Sequence, residues 1–257
     1  MFDLRRTKKC FIVAEISANH GQSLKRAVSL IRKAKECGAD AVKFQTYTPD
    51  TLTINDDKKY FQVKHPKWGG QTLYELYEKA YTPWKWFKEL KKTAEDLGLV
   101  FFSAAFDKSA VDFLEDLGVP CHKISSFEIV DIPLIEYAAK TRKPLILSTG
   151  MASFDEVTEA VNAAKKAGAK DIVLLKCVSS YPAEPEDMNL RTIPHLKETF
   201  KCPAGLSDHS LGVHAALGAV ALGADMVEKH FTLSKRVKTP DSFFSADPVQ
   251  FKQLVQS

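Results

Sequence analysis

The sequence predicts an α/β protein of the (β/α)8 TIM-barrel class. Short apolar, β-branched runs alternate with amphipathic helical runs along the 257 residues, and eight such strand–helix units can be counted. Several of the helical runs end in glycine shortly before the next strand run, as repeated βα units do. A doubly wound open sheet is the alternative, but no G-x-G-x-x-G motif follows the first strand run.

Eight apolar runs are predicted strands. They are residues 11–17, 41–46, 99–105, 121–126, 144–150, 171–178, 204–210 and 226–232. The first helix is predicted to begin after Ser23, a good N-cap residue, and to stop at Gly38. The last run, DPVQFKQLVQS, predicts a short eighth helix.

A long segment at about 47–82 interrupts this repeat between the second strand and its helix. Loops after barrel strands usually contain only a few residues, and long ones are often functional. The segment is therefore expected to form a lid or a wall of a substrate site, with a decorative loop as the alternative.

Composition excludes several kinds of partner. Hydrophobic residues make up 45% of the chain, enough for a large core. The net charge of +4 comes from lysines scattered along helical faces, and such a distribution is not typical of a nucleic-acid-binding surface. No apolar run is long enough to span a bilayer, and MFDLRRTKKC is not followed by a signal-type segment. Five cysteines without paired short spacings indicate free thiols and a cytoplasmic location.

Charged residues collect at the carboxyl ends of the predicted strands, where barrel enzymes carry their active sites. Glu15, Lys43, Lys123 and Glu228 all occupy such positions, and strand periodicity puts Lys43 and Gln45 on one face. Charges that point into a barrel cost several kcal/mol unless they are paired or used. Four of them at one rim predict a functional site.

Two histidines lie near the ends of the seventh and eighth strand runs. His209 shares a face with Ser207, and His230 shares a face with Glu228. Neighbouring barrel strands lie about 4.8 Å apart, so the two imidazoles can share one divalent cation and leave coordination positions open. With only two strong ligands, we expect Mn²⁺ or Mg²⁺ and not a structural zinc.

Hydroxyl side chains follow the fourth to seventh strand runs and, with the lysines, are typical of a phosphate site. They are Ser126, Ser148, Thr149, Ser179 and Ser207. No G-x-S-x-G motif is present, which argues against a serine nucleophile.

Seven stretches in this order resemble the sialic acid synthase family. They are AEISANHGQSL, GADAVKFQTYTPDTLT, KISSFE, LILSTGM, LLKCVSSYP with EDMNL, GLSDHS and EKHFT. Within the family, FQTYTPDTLT and LYELYEKAYTP are most similar to the pseudaminic acid synthases.

The resemblance implies condensation of phosphoenolpyruvate with an acetamido-sugar aldehyde to a nine-carbon 2-keto sugar acid, with phosphate released by C–O cleavage. It implies Glu15, Lys43 and Lys123 as catalytic residues, with Ser126, Ser148 and Ser207 on phosphoenolpyruvate. It places Gln45, Glu128, Tyr181 and Asp241 toward the acceptor sugar and makes His209 and His230 the metal ligands.

The chain departs from the family pattern at three points. Ala104 stands where relatives carry a Ser or Thr hydroxyl. Ser179 stands where relatives carry the longer asparagine, and it is still expected to bind substrate. A C-terminal antifreeze-like domain, which brings an arginine to the partner subunit's sugar site, has no counterpart in these residues. A homodimer is expected for the full-length form.

Three alternatives to this function stay open at the sequence level. The acceptor specificity of an N-acetylneuraminate or legionaminate synthase is one. A class I aldolase, in which an interior lysine forms an imine, is another. The third is a sugar-phosphate-binding barrel without catalysis.

Overall fold

The computed structural model describes residues 9–257, so the charged start of the chain, residues 1–8, lies outside the described residues. Eight parallel strands close into a barrel in chain order, and β8 pairs with β1. The strands are β1 Phe11–Glu15, β2 Ala41–Thr46, β3 Val100–Ala105, β4 His122–Ile124, β5 Leu145–Ser148, β6 Ile172–Cys177, β7 Ala204–Asp208 and β8 Met226–His230. The predicted (β/α)8 barrel is confirmed, and the doubly wound sheet was wrong.

Most strands stop earlier at their carboxyl ends than the apolar runs predicted. The first run was predicted to extend to residue 17, but β1 ends at Glu15 because Ser17 adopts a φ of 43° and opens a 3₁₀ turn, Ser17–His20. The runs at 121–126, 144–150 and 204–210 also end two residues earlier than predicted, at Ile124, Ser148 and Asp208. The chain leaves the ladder there to bring polar side chains over the barrel mouth.

Helices surround the barrel and begin and end largely where capping chemistry places them. They are α1 Leu24–Glu36, α2 Pro49–Leu52, α3 Leu73–Ala80, α4 Phe87–Asp96, α5 Lys108–Leu117, α6 Ile132–Ala139, α7 Phe154–Ala167, α8 Thr192–Phe200, α9 His214–Ala221 and α10 Pro248–Gln256. The Ser23 side chain accepts a hydrogen bond from the Arg26 amide, which confirms the predicted start of α1.

The long segment after β2 carries helices of its own. It contains α2, a β-bridge between Gln62 and Thr72, and α3. The Thr72 and Glu75 side chains form a capping box that begins α3. The segment thus has the internal hydrogen bonds to hold a defined wall beside the barrel mouth.

Apolar side chains form one layer outside the strands and another inside the barrel. Strand and helix side chains that point outward from the barrel form the larger core cluster. A smaller cluster fills the barrel interior, two residues before the polar side chains of the mouth; it includes Val13, Ala41, Phe102, Cys121, Ile146, Leu175 and Met226.

One glycine is required where β7 approaches β8. A Cβ atom on Gly205 would lie 2.0 Å from the Met226 carbonyl oxygen, which no side chain can occupy. Within residues 9–257, no helix combines the length and the apolar character needed to cross a membrane.

Candidate active site

A cavity of about 920 Å³ opens at the carboxyl ends of the strands. Nearly all of the site residues predicted from the sequence line it: Lys43, Gln45, Lys123, Ser126, Glu128, Ser148, Ser179, Tyr181, Ser207, His209, His230 and Asp241. Glu15 lies immediately behind Lys43 and is fully buried. The structure therefore brings the predicted residues together at one mouth, in the size range of small-molecule sites.

Three charged groups from neighbouring strands form the floor of the cavity. The Lys43 Nζ atom lies 2.7 Å from Glu15 Oε2 and 3.5 Å from Glu228 Oε1. Ser207 Oγ donates a hydrogen bond of 2.9 Å to the same Glu228 oxygen. Both Glu15 oxygens nevertheless lack a well-aligned donor, so the contact with Lys43 is a close ion pair without hydrogen-bond geometry.

Burial and pairing move the pKa values of these carboxyl groups in opposite directions. Burial raises the pKa of Glu15 to about 7, because the attraction of Lys43 only partly offsets the lost hydration. Burial alone would also raise the pKa of Glu228, but the charges of Lys43 and Lys123 and the Ser207 hydrogen bond lower it. The floor therefore holds one carboxyl group whose pKa is raised by burial and one whose ionised form is favoured by its partners.

Lys123 is the second buried cation of the mouth, and its surroundings differ from those of Lys43. Its Nζ atom donates to Ser148 Oγ at 2.6 Å and to the Ile124 carbonyl oxygen at 3.2 Å. Its side chain is almost fully buried, and no carboxylate of the described residues lies within ion-pair distance. Burial accordingly lowers its pKa. A cation in this position attracts an anion from the cavity.

Hydroxyl groups surround Gly150 beside this lysine. A Cβ atom there would lie 2.6 Å from Ser179 Oγ and 2.7 Å from Ser126 Oγ, so only glycine lets the two hydroxyls converge. The Gly150 amide donates to Ser126 Oγ at 3.2 Å, whereas Ser179 Oγ is buried without a partner. Thr149, expected in this group, points away and donates to the Leu175 carbonyl, because strand alternation places it opposite Ser148.

The two histidines meet above the floor. Their ring centroids lie 5.4 Å apart. His209 Nδ1 lies 2.7 Å from the Val178 carbonyl oxygen, which assigns the proton to Nδ1 and leaves the lone pair on Nε2. His230 Nδ1 is buried without a hydrogen-bond partner, and burial holds the pKa of His230 well below 6.5.

These features fit a divalent cation, because His230 is held neutral and His209 can offer Nε2 when its proton lies on Nδ1. Burial alone would lower the pKa of His209, but Cys177 and the Val178 carbonyl raise it, so a bound cation would have to displace the Nε2 proton. Across residues 9–257, no group of three or more His, Cys, Asp or Glu side chains is arranged as a complete metal site. Asp241 Oδ2 lies 3.9 Å from His230 Nδ1, but that oxygen already accepts from Ser17 Oγ at 2.5 Å.

The sequence interpretation missed an aromatic wall on the segment after β2. His65, in that segment, lines the cavity, and its Nε2 lies 3.3 Å from the Tyr181 carbonyl oxygen. Trp68 also lines the cavity and donates from Nε1 to the Pro240 carbonyl. Only their place in a long insertion could have suggested them, since neither belongs to a recognisable motif.

Cys177 was also missed, although it ends β6. Its Sγ atom lies 3.7 Å from His209 Nδ1 and lines the cavity. His122, by contrast, does not line the cavity, and its Nε2 lies 2.7 Å from Glu115 Oε1.

A closed parallel barrel with paired charges and hydroxyls at its carboxyl-end mouth has the architecture of a barrel enzyme. The model of the NeuB family matches residues 30–257. A pseudaminic acid synthase of Campylobacter jejuni is 47% identical over 250 residues, which are 97% of this chain and 73% of that protein. One of Helicobacter pylori is 48% identical over 246 residues, 96% of this chain and 72% of that protein.

A solved structure agrees with these sequence matches. The N-acetylneuraminic acid (sialic acid) synthetase of Leptospira borgpetersenii superposes with a TM-score of 0.88 at 35% identity, over 97% of this chain and 82% of that one. The chain belongs to the NeuB family, and the predicted relationship to the sialic acid synthases is confirmed.

Proposed function

We propose that the chain condenses phosphoenolpyruvate with an acetamido-sugar aldehyde, as a pseudaminic acid synthase. The identity of 46% to 48% to three proteins of that name supports the choice of reaction. The structural observation that carries it is Lys123, a buried cation that faces the cavity beside hydroxyl groups and has no carboxylate partner among the described residues. Such a group is suited to a small phosphorylated acid.

Phosphoenolpyruvate would bind at the floor of the cavity. Lys123 and Ser148 would contact its anionic groups from one side and Lys43 from the other, since all three line the cavity. Ser126 and the unpartnered Ser179 hydroxyl would donate further hydrogen bonds. The bound anion would supply the countercharge that Lys123 lacks.

The reaction forms a C–C bond and a C–O bond from water, and it breaks the C–O bond between C2 and the bridging oxygen. The two water protons end on the aldehyde oxygen and on the phosphate. C3 of phosphoenolpyruvate attacks the aldehyde carbon of the sugar, whose oxygen takes up a proton. Water adds to the cationic C2, and inorganic phosphate leaves with the bridging oxygen to yield the 2-keto acid. An ionised Glu15 beside C2 would stabilise the positive charge or accept a proton from the water.

The two histidines would hold a divalent cation, Mn²⁺ or Mg²⁺. When bound, the ion supplies Lewis-acid polarisation of a carbonyl oxygen. The Val178 carbonyl fixes the His209 tautomer, and the Phe244 ring, 4.7 Å from the His230 ring, restricts the orientation of His230. Gln45, Glu128, Tyr181 and Asp241 line the remaining cavity, where the acceptor sugar would bind.

Phosphate release with a panel of amino sugars tests the proposal. We expect turnover with phosphoenolpyruvate and a pseudaminic acid precursor sugar, loss of turnover after EDTA treatment, and recovery with Mn²⁺. Preferred turnover of N-acetylmannosamine or of a legionaminic acid precursor would favour one of the other synthases. Binding of phosphoenolpyruvate and sugar without phosphate release would favour a non-catalytic barrel.

A borohydride experiment separates this chemistry from that of a class I aldolase. The lysines act as cations here and need no imine, so borohydride with pyruvate should leave the protein unmodified. A reduced adduct on Lys123 would contradict the mechanism. We also propose a cytoplasmic location, supported by five free cysteines, and a homodimeric full-length form.

A further inference from the structure

The helix α3, in the segment after β2, turns its apolar stripe toward the cavity. Four of its residues follow helical spacing on one face and line the cavity: Leu73, Leu76, Tyr77 and Ala80. The residues between them, Tyr74, Glu75, Glu78 and Lys79, are polar or aromatic and do not line it. An amphipathic surface helix normally buries such a stripe against the core.

Here the stripe is only half covered by protein. Leu73, Leu76 and Tyr77 are half-buried, and so are Leu52 and Phe106, which line the same part of the cavity. The Tyr47 ring packs against Tyr77 and Phe106 at centroid distances of 5.7 Å and 5.2 Å, which joins the helix to the barrel. The cavity therefore has an apolar side formed by α2, α3 and the loop after β3.

This apolar side is continuous with the charged side. Burial, together with the nearby Glu128 carboxylate, raises the pKa of the Tyr77 phenol, so the helix lies beside a predicted sugar-facing residue. Phosphoenolpyruvate, with two anionic groups, belongs on the lysine side. What remains for the apolar side is part of the second substrate.

We propose that the stripe of α3 is a subsite for a methyl-bearing substituent of the acceptor sugar. The inference rests on the proposed condensation. A hydroxyl placed against leucine side chains would lose its hydrogen bonds to water without replacement, whereas a methyl group gains from leaving water. The methyl can come from an N-acetyl group or from C6 of a deoxy sugar, and acceptor pairs distinguish the two sources.

The test compares kcat/KM within two pairs of acceptors that differ by one hydroxyl. One pair carries a methyl or a hydroxymethyl group at C6, and the other an N-acetyl or an N-glycolyl group. The wild-type chain should prefer the methyl member of one pair by about 10-fold or more. Leu76→Asn should reduce that preference at least about fivefold, through the KM for the acceptor, with the KM for phosphoenolpyruvate unchanged.

Glu78→Asn is the matched control, because it introduces the same side chain on the exposed face of α3. It should leave both ratios unchanged. Leu73→Asn, in the first helical turn where polar residues are tolerated, repeats the test if Leu76→Asn folds poorly.

The outcomes separate this inference from the proposed reaction. Phosphate release with equal rates inside both pairs, or an unchanged preference in both leucine variants, contradicts the subsite and leaves the condensation standing. If no sugar supports phosphate release, the condensation is wrong. Calorimetry with the same sugars then tests the subsite by itself. Equal affinity of wild type and both variants for the methyl-bearing sugar then contradicts the subsite as well.

Discussion

Glu15 and Lys43 form an ion pair at the floor of the cavity, fully removed from solvent. Buried charge pairs contribute little net stability, because lost hydration offsets most of their attraction. Because the Glu15 oxygens also lack hydrogen-bond partners, a role of this pair in the reaction explains its presence better than a role in stability.

Replacing Glu15 by Gln should affect turnover more than binding. The variant keeps the shape of the side chain but removes the negative charge proposed to stabilise C2. We expect kcat to fall by about 10²-fold or more, the scale of one preorganised electrostatic group, with a much smaller change in the KM for phosphoenolpyruvate. Steady-state phosphate release measures both. Glu89→Gln, on the exposed face of α4, serves as control, and an unaltered kcat would remove Glu15 from the mechanism.

The carboxyl group of Glu128 should make the stability of the chain depend on pH. Burial raises its pKa from 4.5 to about 7, and its Oε2 atom has no partner. Between these pH values the folded chain binds the proton more tightly than the unfolded chain, so its ionisation costs stability as the pH rises through 7.

Glu128→Gln should therefore stabilise the ligand-free chain by about 2 to 3 kcal/mol at pH 8 and by much less at pH 4.5. Urea unfolding at the two pH values measures the difference. Glu159→Gln, at an exposed position of α7, should show no such pH dependence. A gain of the same size at both pH values would mean that the ionisation of Glu128 is not its cause.

At the scale of the elements, β7 and β8 carry a second buried ion pair on the face opposite the cavity. Lys229 Nζ lies 2.7 Å from Asp208 Oδ2 and donates to the Ser210 carbonyl oxygen at 2.8 Å. Asp208 Oδ1 accepts from the Ser210 amide and hydroxyl. Asp208 directly precedes His209, and Lys229 directly precedes His230. The ion pair therefore holds the ends of β7 and β8 together beside the two histidines.

Lys229→Met should destabilise the chain by about 3 to 5 kcal/mol, because it leaves the Asp208 charge buried and unpaired. Denaturant unfolding at neutral pH measures the effect. Lys92→Met removes the exposed pair between Lys92 and Asp96 in α4 and should cost less than about 1 kcal/mol. Similar losses in the two variants would mean that the buried pair has no special weight.

The element scale also shows where sequence patterns stop being informative. The beginnings of the strands followed from apolar runs within about a residue, and so did the ends of β2 and β3. The other carboxyl ends were predicted too late, because departure of the chain from the ladder depends on backbone angles such as that of Ser17. The helix α3 was not predicted separately within the segment at 47–82, although Leu73, Leu76, Tyr77 and Ala80 have helical spacing; what the sequence could not show is that this stripe faces a cavity and not the core.

At the scale of the whole molecule, barrel closure gathers the site from strands that are distant in the chain. Glu15 meets Lys43 across the β1–β2 pair, whereas Glu228 reaches the same lysine only because β8 pairs with β1. A ligand that binds this assembled mouth, and not the unfolded chain, must stabilise the entire fold.

Phosphoenolpyruvate at 100 times its Kd should stabilise the chain by about 2.7 kcal/mol. For a chain of this length that is a rise in Tm of about 5 to 10 °C. Differential scanning calorimetry measures it. Lys123→Met should abolish the rise, whereas Leu76→Asn should keep it, since the leucine lies on the apolar side of the cavity. A full shift in Lys123→Met would place the anion elsewhere.

The sequence by itself determined the barrel, the family and the residues of the charged mouth. Strand alternation and the position of Lys43, Lys123, His209 and His230 near strand ends are local properties, and a parallel barrel converts them into one site. Tertiary structure alone decided which of these groups are paired. Lys43 acquires two carboxylates and Lys123 none, a difference set by the register between strands.

The same holds for the acceptor side of the cavity. His65, Trp68 and the α3 stripe reach the mouth through the path of the segment after β2, which depends on contacts between residues far apart in sequence, such as Trp68 with Pro240. Local patterns report which face of an element is apolar; what that face meets is a property of the folded chain, because it depends on where the rest of the chain lies.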